Sequence, residues 1–92
     1  MFRFDVALGK AWSAVAFGTS SRDLGERAKD NPNFYLTLAS TGGGKLLPQA
    51  GAVLIEDEGG VILGAVGASG GSGDEDERIC IHGVEAVDLS HV

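Results

Sequence analysis

The sequence is short of cysteine, of basic side chains and of long apolar runs. Its single cysteine, Cys80, excludes an internal disulfide and is compatible with a reducing compartment. Only 7 Lys and Arg stand against 13 Asp and Glu, giving a net charge of −6. Phosphate neutralisation needs clustered cations, so no nucleic-acid partner is expected, and the acidic balance also disfavours an anionic lipid surface. No apolar run approaches the ~20 residues a membrane-spanning helix needs. The opening residues MFRFDVALGK mix Asp5 and Lys10 into their apolar positions and contain no signal-peptide core. The expectation is a soluble, cytoplasmic protein without nucleic-acid or membrane partners.

What is present fits one small domain. A chain of 92 residues buries only ~60% of the surface exposed when unfolded, so its core is thin. An apolar fraction of 43% with 22% charged residues is globular rather than disordered. The 15 glycines have no collagen-like period, so many mark tight turns or close approaches.

Phe4, Leu8, Ala11 and Val15 recur at helical spacing, predicting a helix over 4–17 with these residues on its buried face, widened by Trp12 and Ala16. Gly18 follows as a left-handed cap. Ser20 and Asp23 have the spacing of a capping box, opening a second helix that ends near Asp30. Asn31 and Pro32 then open a third, through Phe34, Tyr35 and Leu38, with Gly42, Gly43 and Gly44 ending it. After Leu47 and Pro48, the β-branched runs AVLIE and VILGAVGA flank the turn residues 57–60 and predict a hairpin. The second run is apolar at nearly every position, so it is expected to be central or buried on both faces. Gly64 and Gly67 offer it places of close approach. Ser72 and Glu75 form a capping box, and Asp74, Glu75, Asp76 and Glu77 fill the first turn of a last helix. Its expected buried stripe is Cys80, Val84 and Val87 with Ile79 alongside, and Gly83 suggests a close helix contact.

Few of these residues form a chemical motif. The run from Ser40 to Leu46 resembles a phosphate-binding loop only superficially: Ala39 stands where the first glycine belongs, and Leu46 replaces the metal-binding hydroxyl. The Ser69 to Gly73 turn could face an anion, but four acidic residues occupy that place and complement the helix dipole instead. Those carboxylates do not converge on a hard cation either, because consecutive helical residues point ~100° apart. His82 and Glu85 share a helix face and are weak candidates for a metal site that no second pair completes. Cys80 reads as a small core residue. No nucleophile has an assignable His and carboxylate, so the residues alone leave open whether the chain is an enzyme.

Taken in order, GKAWSAV, FYLTL and GAVLIEDEGGVILGAVGASGGSGDEDE resemble the GlcG/HbpS-like family. The matching features are the Lys10 and Ala11 pair, the glycine-led segment at Gly51, the hairpin end with Gly64, Ala65, Gly67, Ser69 and Gly70, and the acidic pair Asp76 and Glu77. Departures are Ala52 in place of a second glycine, and Gln49 and Ala50 where a proline is common. The resemblance implies an α/β (α+β) sandwich with an antiparallel, profilin-like sheet, of which residues 1–92 match the C-terminal two-thirds. The family's first helix and two strands are expected to be lacking. It also implies homo-oligomers and, for some members, haem. The implied ligand-binding residues are Lys10, Gly51, Gly67, Ser69, Gly70, Asp76 and Glu77. An axial ligand to haem iron would have to come from His82, His91, Cys80 or Tyr35.

Three functions follow as expectations. The first is a small-molecule-binding protein taking haem or a related tetrapyrrole. The second is an enzyme or accessory acting on a small organic acid in a catabolic operon, with Lys10 and Glu77 as polar pocket groups. The third is a structural fragment of a longer family member. Because a lone hairpin is marginal in water, its free edge is expected to be covered by another chain.

Overall fold

A computed structural model gives the structure of the protein over residues 2–41 and 43–92. Three helices come first: α1 (Arg3–Phe17), α2 (Ser21–Asp30) and α3 (Pro32–Thr41). The strands β1 (Ala52–Glu56) and β2 (Ile62–Gly67) follow, then α4 (Gly73–Ala86) and a short β3 (Ser90–His91). The sheet is antiparallel with the order β2-β1-β3. This is an α+β domain, as the sequence implies.

The helix boundaries follow from local chemistry. Gly18, at φ 67°, ends α1 and donates its N–H to the Ala14 carbonyl. The Ser20 hydroxyl accepts from the Asp23 N–H at the start of α2. Gly43 and Gly44, both at positive φ, close α3 by donating to the Ser40 and Ala39 carbonyls; Gly42 lies outside the described residues. At α4 both halves of the capping box form: Ser72 accepts from the Glu75 N–H, and Glu75 accepts from the Ser72 N–H. The hairpin turn is held by Asp57, whose carboxylate accepts from the Gly59 and Val61 N–H groups.

The β1–β2 register pairs Val53 with Val66 and Ala52 with Gly67. Because side chains alternate, one face carries Val53 and Val66 toward Cys80 and Val84 of α4, with Ile55, Ala68, Ile81 and Leu89 packed around them. The opposite face carries Ala52, Leu54 and Gly67 toward α1 and α2. There a Cβ at Gly67 would collide with the Ala7 carbonyl oxygen, so this glycine lets α1 lie directly on the strand.

Several burial expectations are corrected. The buried face of α1 is Gly9, Lys10, Ser13 and Ala14. Phe4, Leu8 and Val15 are 74%, 56% and 54% exposed on the opposite side, and Ala16 is exposed too. Close approach to the sheet selects the small residues, and Ser13 is satisfied there by donating to the Gly9 carbonyl and accepting from the Leu47 N–H. The strand β2 is an edge rather than central, with Val61, Ile62 and Leu63 exposed, because the returning segment at Ser90 and His91 pairs with β1 instead. On α4, Cys80 and Val84 are buried as expected, but Ile79 and Val87 are 64% and 65% exposed. Among the described residues no atom beyond its chain neighbours and its own helix backbone lies within 4 Å of a Cβ built on Gly83, so no close helix contact is made there.

Candidate functional site

The implied ligand-binding residues gather where α1, the start of β1, the end of β2 and the N-terminus of α4 meet. Lys10 is 4% exposed and Asp76 is 3% exposed. Lys10 Nζ donates to Asp76 Oδ2 at 3.3 Å and to the Ala68 carbonyl at 3.2 Å. Asp76 Oδ1 accepts from the Gly71 N–H at 3.1 Å. Gly51, at φ 134°, makes room for the lysine, since a Cβ there would stand 2.5 Å from Nζ and 2.9 Å from Cδ. The Gly51 carbonyl in turn accepts from the Ala68 N–H at 2.9 Å and from the Cys80 thiol at 3.4 Å. No buried side-chain nitrogen or oxygen among the described residues lacks a partner. Lys10 and Asp76 are thus engaged with each other and with backbone, as a latch between α1 and α4 across the end of the sheet.

The remaining implied residues lie around this latch. Ser69 is half-buried and Gly70, at φ 145°, is exposed in the turn that carries the Gly71 N–H to Asp76. Glu77 faces α2, where Arg22 Nε donates to both its carboxylate oxygens at 2.9 and 3.1 Å. Arg22 also pairs with Asp74. These hydrogen bonds hold the Asp74 carboxyl below, and the Arg22 guanidinium above, their ordinary ranges. Glu75 is likewise held low, first by the Ser72 N–H and then by the Ser72 hydroxyl.

Open space lies to one side of this latch, and Gly67, one of the implied residues, borders it. A groove of about 380 Å³ runs between β2 and α4, lined by Ile55, Val66, Ile79, Val84, Val87 and Leu89, with Cys80 and Gly83 also on its wall. Its lining side chains are apolar apart from the Cys80 thiol, which burial keeps protonated by pushing its pKa up. Across Ile79, a shallower depression of about 460 Å³ is bordered by Glu75, Arg78 and His82. Among the described residues no group of three or more His, Cys, Asp or Glu converges, so His82 and Glu85 gain no further metal ligand. Of the other axial candidates, Tyr35 packs on Phe17 and Phe34, and His91 is exposed on β3.

Sequence reasoning missed the Lys10–Asp76 pair and the groove. The clue to the first was a lysine set among Gly9, Ser13 and Ala14, on the small side of α1. The second depends on Ile79 and Val87 facing outward, which an apolar stripe alone does not reveal.

Fold and surface define a small α+β domain with an internal ion-pair latch and an open apolar groove. The sequence profile of the family described as "Haem degrading protein HbpS-like" matches residues 1–85, and the chain belongs to the HbpS-like family. The crystal structure of a PduOC:heme complex is similar to it, with a TM-score of 0.80 and 29% sequence identity over 95% of this chain. The chain spans 62% of that structure's length. No curated protein matches it. Among the described residues no helix is long and apolar enough to cross a membrane.

Proposed function

We propose that this protein binds haem or a related tetrapyrrole, with the apolar groove between β2 and α4 taking the macrocycle. The observation that carries the reading is an open, almost wholly apolar groove in a domain that resembles a heme complex. A groove of this size and lining suits a large apolar ligand. The enzyme reading is less well supported, because its polar groups, Lys10 and Glu77, are engaged with Asp76 and Arg22. A single cysteine kept as a thiol accords with a reducing cytoplasm. The test is an absorbance titration with hemin: a saturable Soret shift at stoichiometric concentration is expected, and a spectrum equal to that of free hemin would reject the reading.

The same reading includes self-association. The free edge of β2 and the Phe4, Leu8 and Val15 stripe of α1 are apolar surfaces that pairing with a second copy would cover. Light scattering at micromolar concentration should then give a mass above that of one chain, and a strictly monomeric species would refute it.

A further inference from the structure

We infer that two copies of this protein join antiparallel along β2, with Ala65 on the two-fold axis, and that the second copy completes the groove between β2 and α4. The inference rests on the haem and self-association readings above and adds the register and the shared site. In the order β2-β1-β3, the strand β2 has β1 on one side and no described strand on the other. Leu54 exchanges both its backbone hydrogen bonds with Val92, on the side of β1 away from β2. Ladder bonds alternate along an antiparallel strand, so Val53 and Ile55 bond toward β2, onto Val66 and Gly64. The N–H and C=O groups of Leu63, Ala65 and Gly67 therefore point outward, and among the described residues none of them finds a backbone partner there. Natural sheets guard such an edge with charge or proline. Residues 59–73 contain neither, although the chain carries 13 acidic and 7 basic side chains. Two copies of net charge −6 thus meet along this edge with no charged side chain in the paired strands.

The strand is complementary to its own copy, which is why a second copy is the occupant. An antiparallel pair centred on Ala65 sets Leu63 opposite Gly67 of the second copy and Val66 opposite its Gly64, each large side chain against a glycine. The same register pairs every outward N–H and C=O of Leu63, Ala65 and Gly67. Among the described residues a Cβ built on Gly64 meets nothing beyond its chain neighbours within 4 Å, so the opposing valine has room. The axis stands perpendicular to the sheet, and both copies then carry α4 on the same face. Val66 and Gly64 lie on that face, and Ile79 and Val87 of α4 are exposed beside it. In one chain the groove has β2 as its floor and α4 as one wall, with no described strand beyond β2 to close the other side. Small-molecule sites bury most of their ligand's surface. Across the paired strands the two grooves open toward each other, and Ile79 and Val87 of the second copy supply the missing wall.

The test is sedimentation velocity at micromolar concentration, with and without hemin, on the full chain and two variants. Leu63→Lys places a charge on an exposed edge position. Ala65→Pro removes an outward N–H and leaves the ladder to β1 intact. Wild type should sediment as two chains, and hemin should strengthen the pairing by about tenfold or more, since a ligand held by the pair favours it by mass action. Both variants should sediment as one chain with the far-ultraviolet circular dichroism of wild type, and should bind hemin at least about tenfold more weakly in a Soret titration. Variants that remain dimeric would overturn the β2 pairing while leaving self-association intact. Monomeric variants that bind hemin as tightly as wild type would overturn the shared site while leaving haem binding intact. A monomeric wild type would overturn the self-association reading as well, and a wild type that binds no hemin would overturn the haem reading and the shared site with it.

Discussion

Replacing Lys10 by methionine removes the cation of a buried pair while keeping most of its stem. Asp76 would then retain only the Gly71 N–H as a partner, and the Ala68 carbonyl would lose its charged donor. Breaking one side of a buried ion pair costs about 3–5 kcal/mol, because the other charge is left uncompensated away from water. A chain of this length has about 5–14 kcal/mol of total stability at the usual 0.05–0.15 kcal/mol per residue. With a urea m-value of about 1.5 kcal/mol/M, the unfolding midpoint should fall by about 2–3 M. Equilibrium urea unfolding followed by circular dichroism measures this. The double variant Lys10→Met with Asp76→Leu should recover much of the loss, since no charge is then buried alone. A Lys10→Met variant with an unchanged midpoint and abolished hemin binding would refute the reasoning, because it would make Lys10 a ligand contact instead of a latch.

Other predictions follow from single features. Gly83→Ala should raise stability by up to about 1 kcal/mol, since among the described residues its Cβ meets nothing beyond its own stretch of helix, and thermal melting checks it. The α4 capping box should weaken in acid. A carboxyl whose folded-state pKa is lowered contributes fully above its unfolded value, here 4.5 for Glu75, and loses that contribution as pH falls through the folded value. Melting temperature should therefore drop below about pH 4.5, and Glu75→Gln should flatten that part of the profile. Cys80, 3% exposed and bonded to the Gly51 carbonyl, should react with Ellman's reagent at pH 8 only as fast as the domain opens; reaction at the rate of a free thiol would contradict its placement.

Much of the fold was legible because it is written in local chemistry. The caps at Gly18, Ser20 and Ser72 and the turn at Asp57 act within a few residues, so their spacing is enough to place them. Burial was less legible. In α1 the periodic apolar residues Phe4, Leu8 and Val15 mark a face, but not whether that face meets the sheet; the decisive factor was the close approach at Gly67, where the backbone of Ala7 and Ala11 lies against the strand. The pairing of β1 with β3 brings together residues 55 and 91, too far apart in sequence for a pattern to join them. In the same way the Asp76 that partners Lys10 is one of four acidic residues in a row, and only the end of the sheet singles it out. The resemblance placed the family-matched residues in one region, while their engagement with one another is visible only in three dimensions.

The most direct test of the central claim is nuclear magnetic resonance mapping of the isotope-labelled chain with gallium protoporphyrin, a diamagnetic stand-in for hemin. Saturable shifts are expected at Val66, Ile79, Gly83 and Val87, along the groove between β2 and α4. Shifts confined to Lys10, Ser69 and Glu77, or no shifts at all, would contradict it.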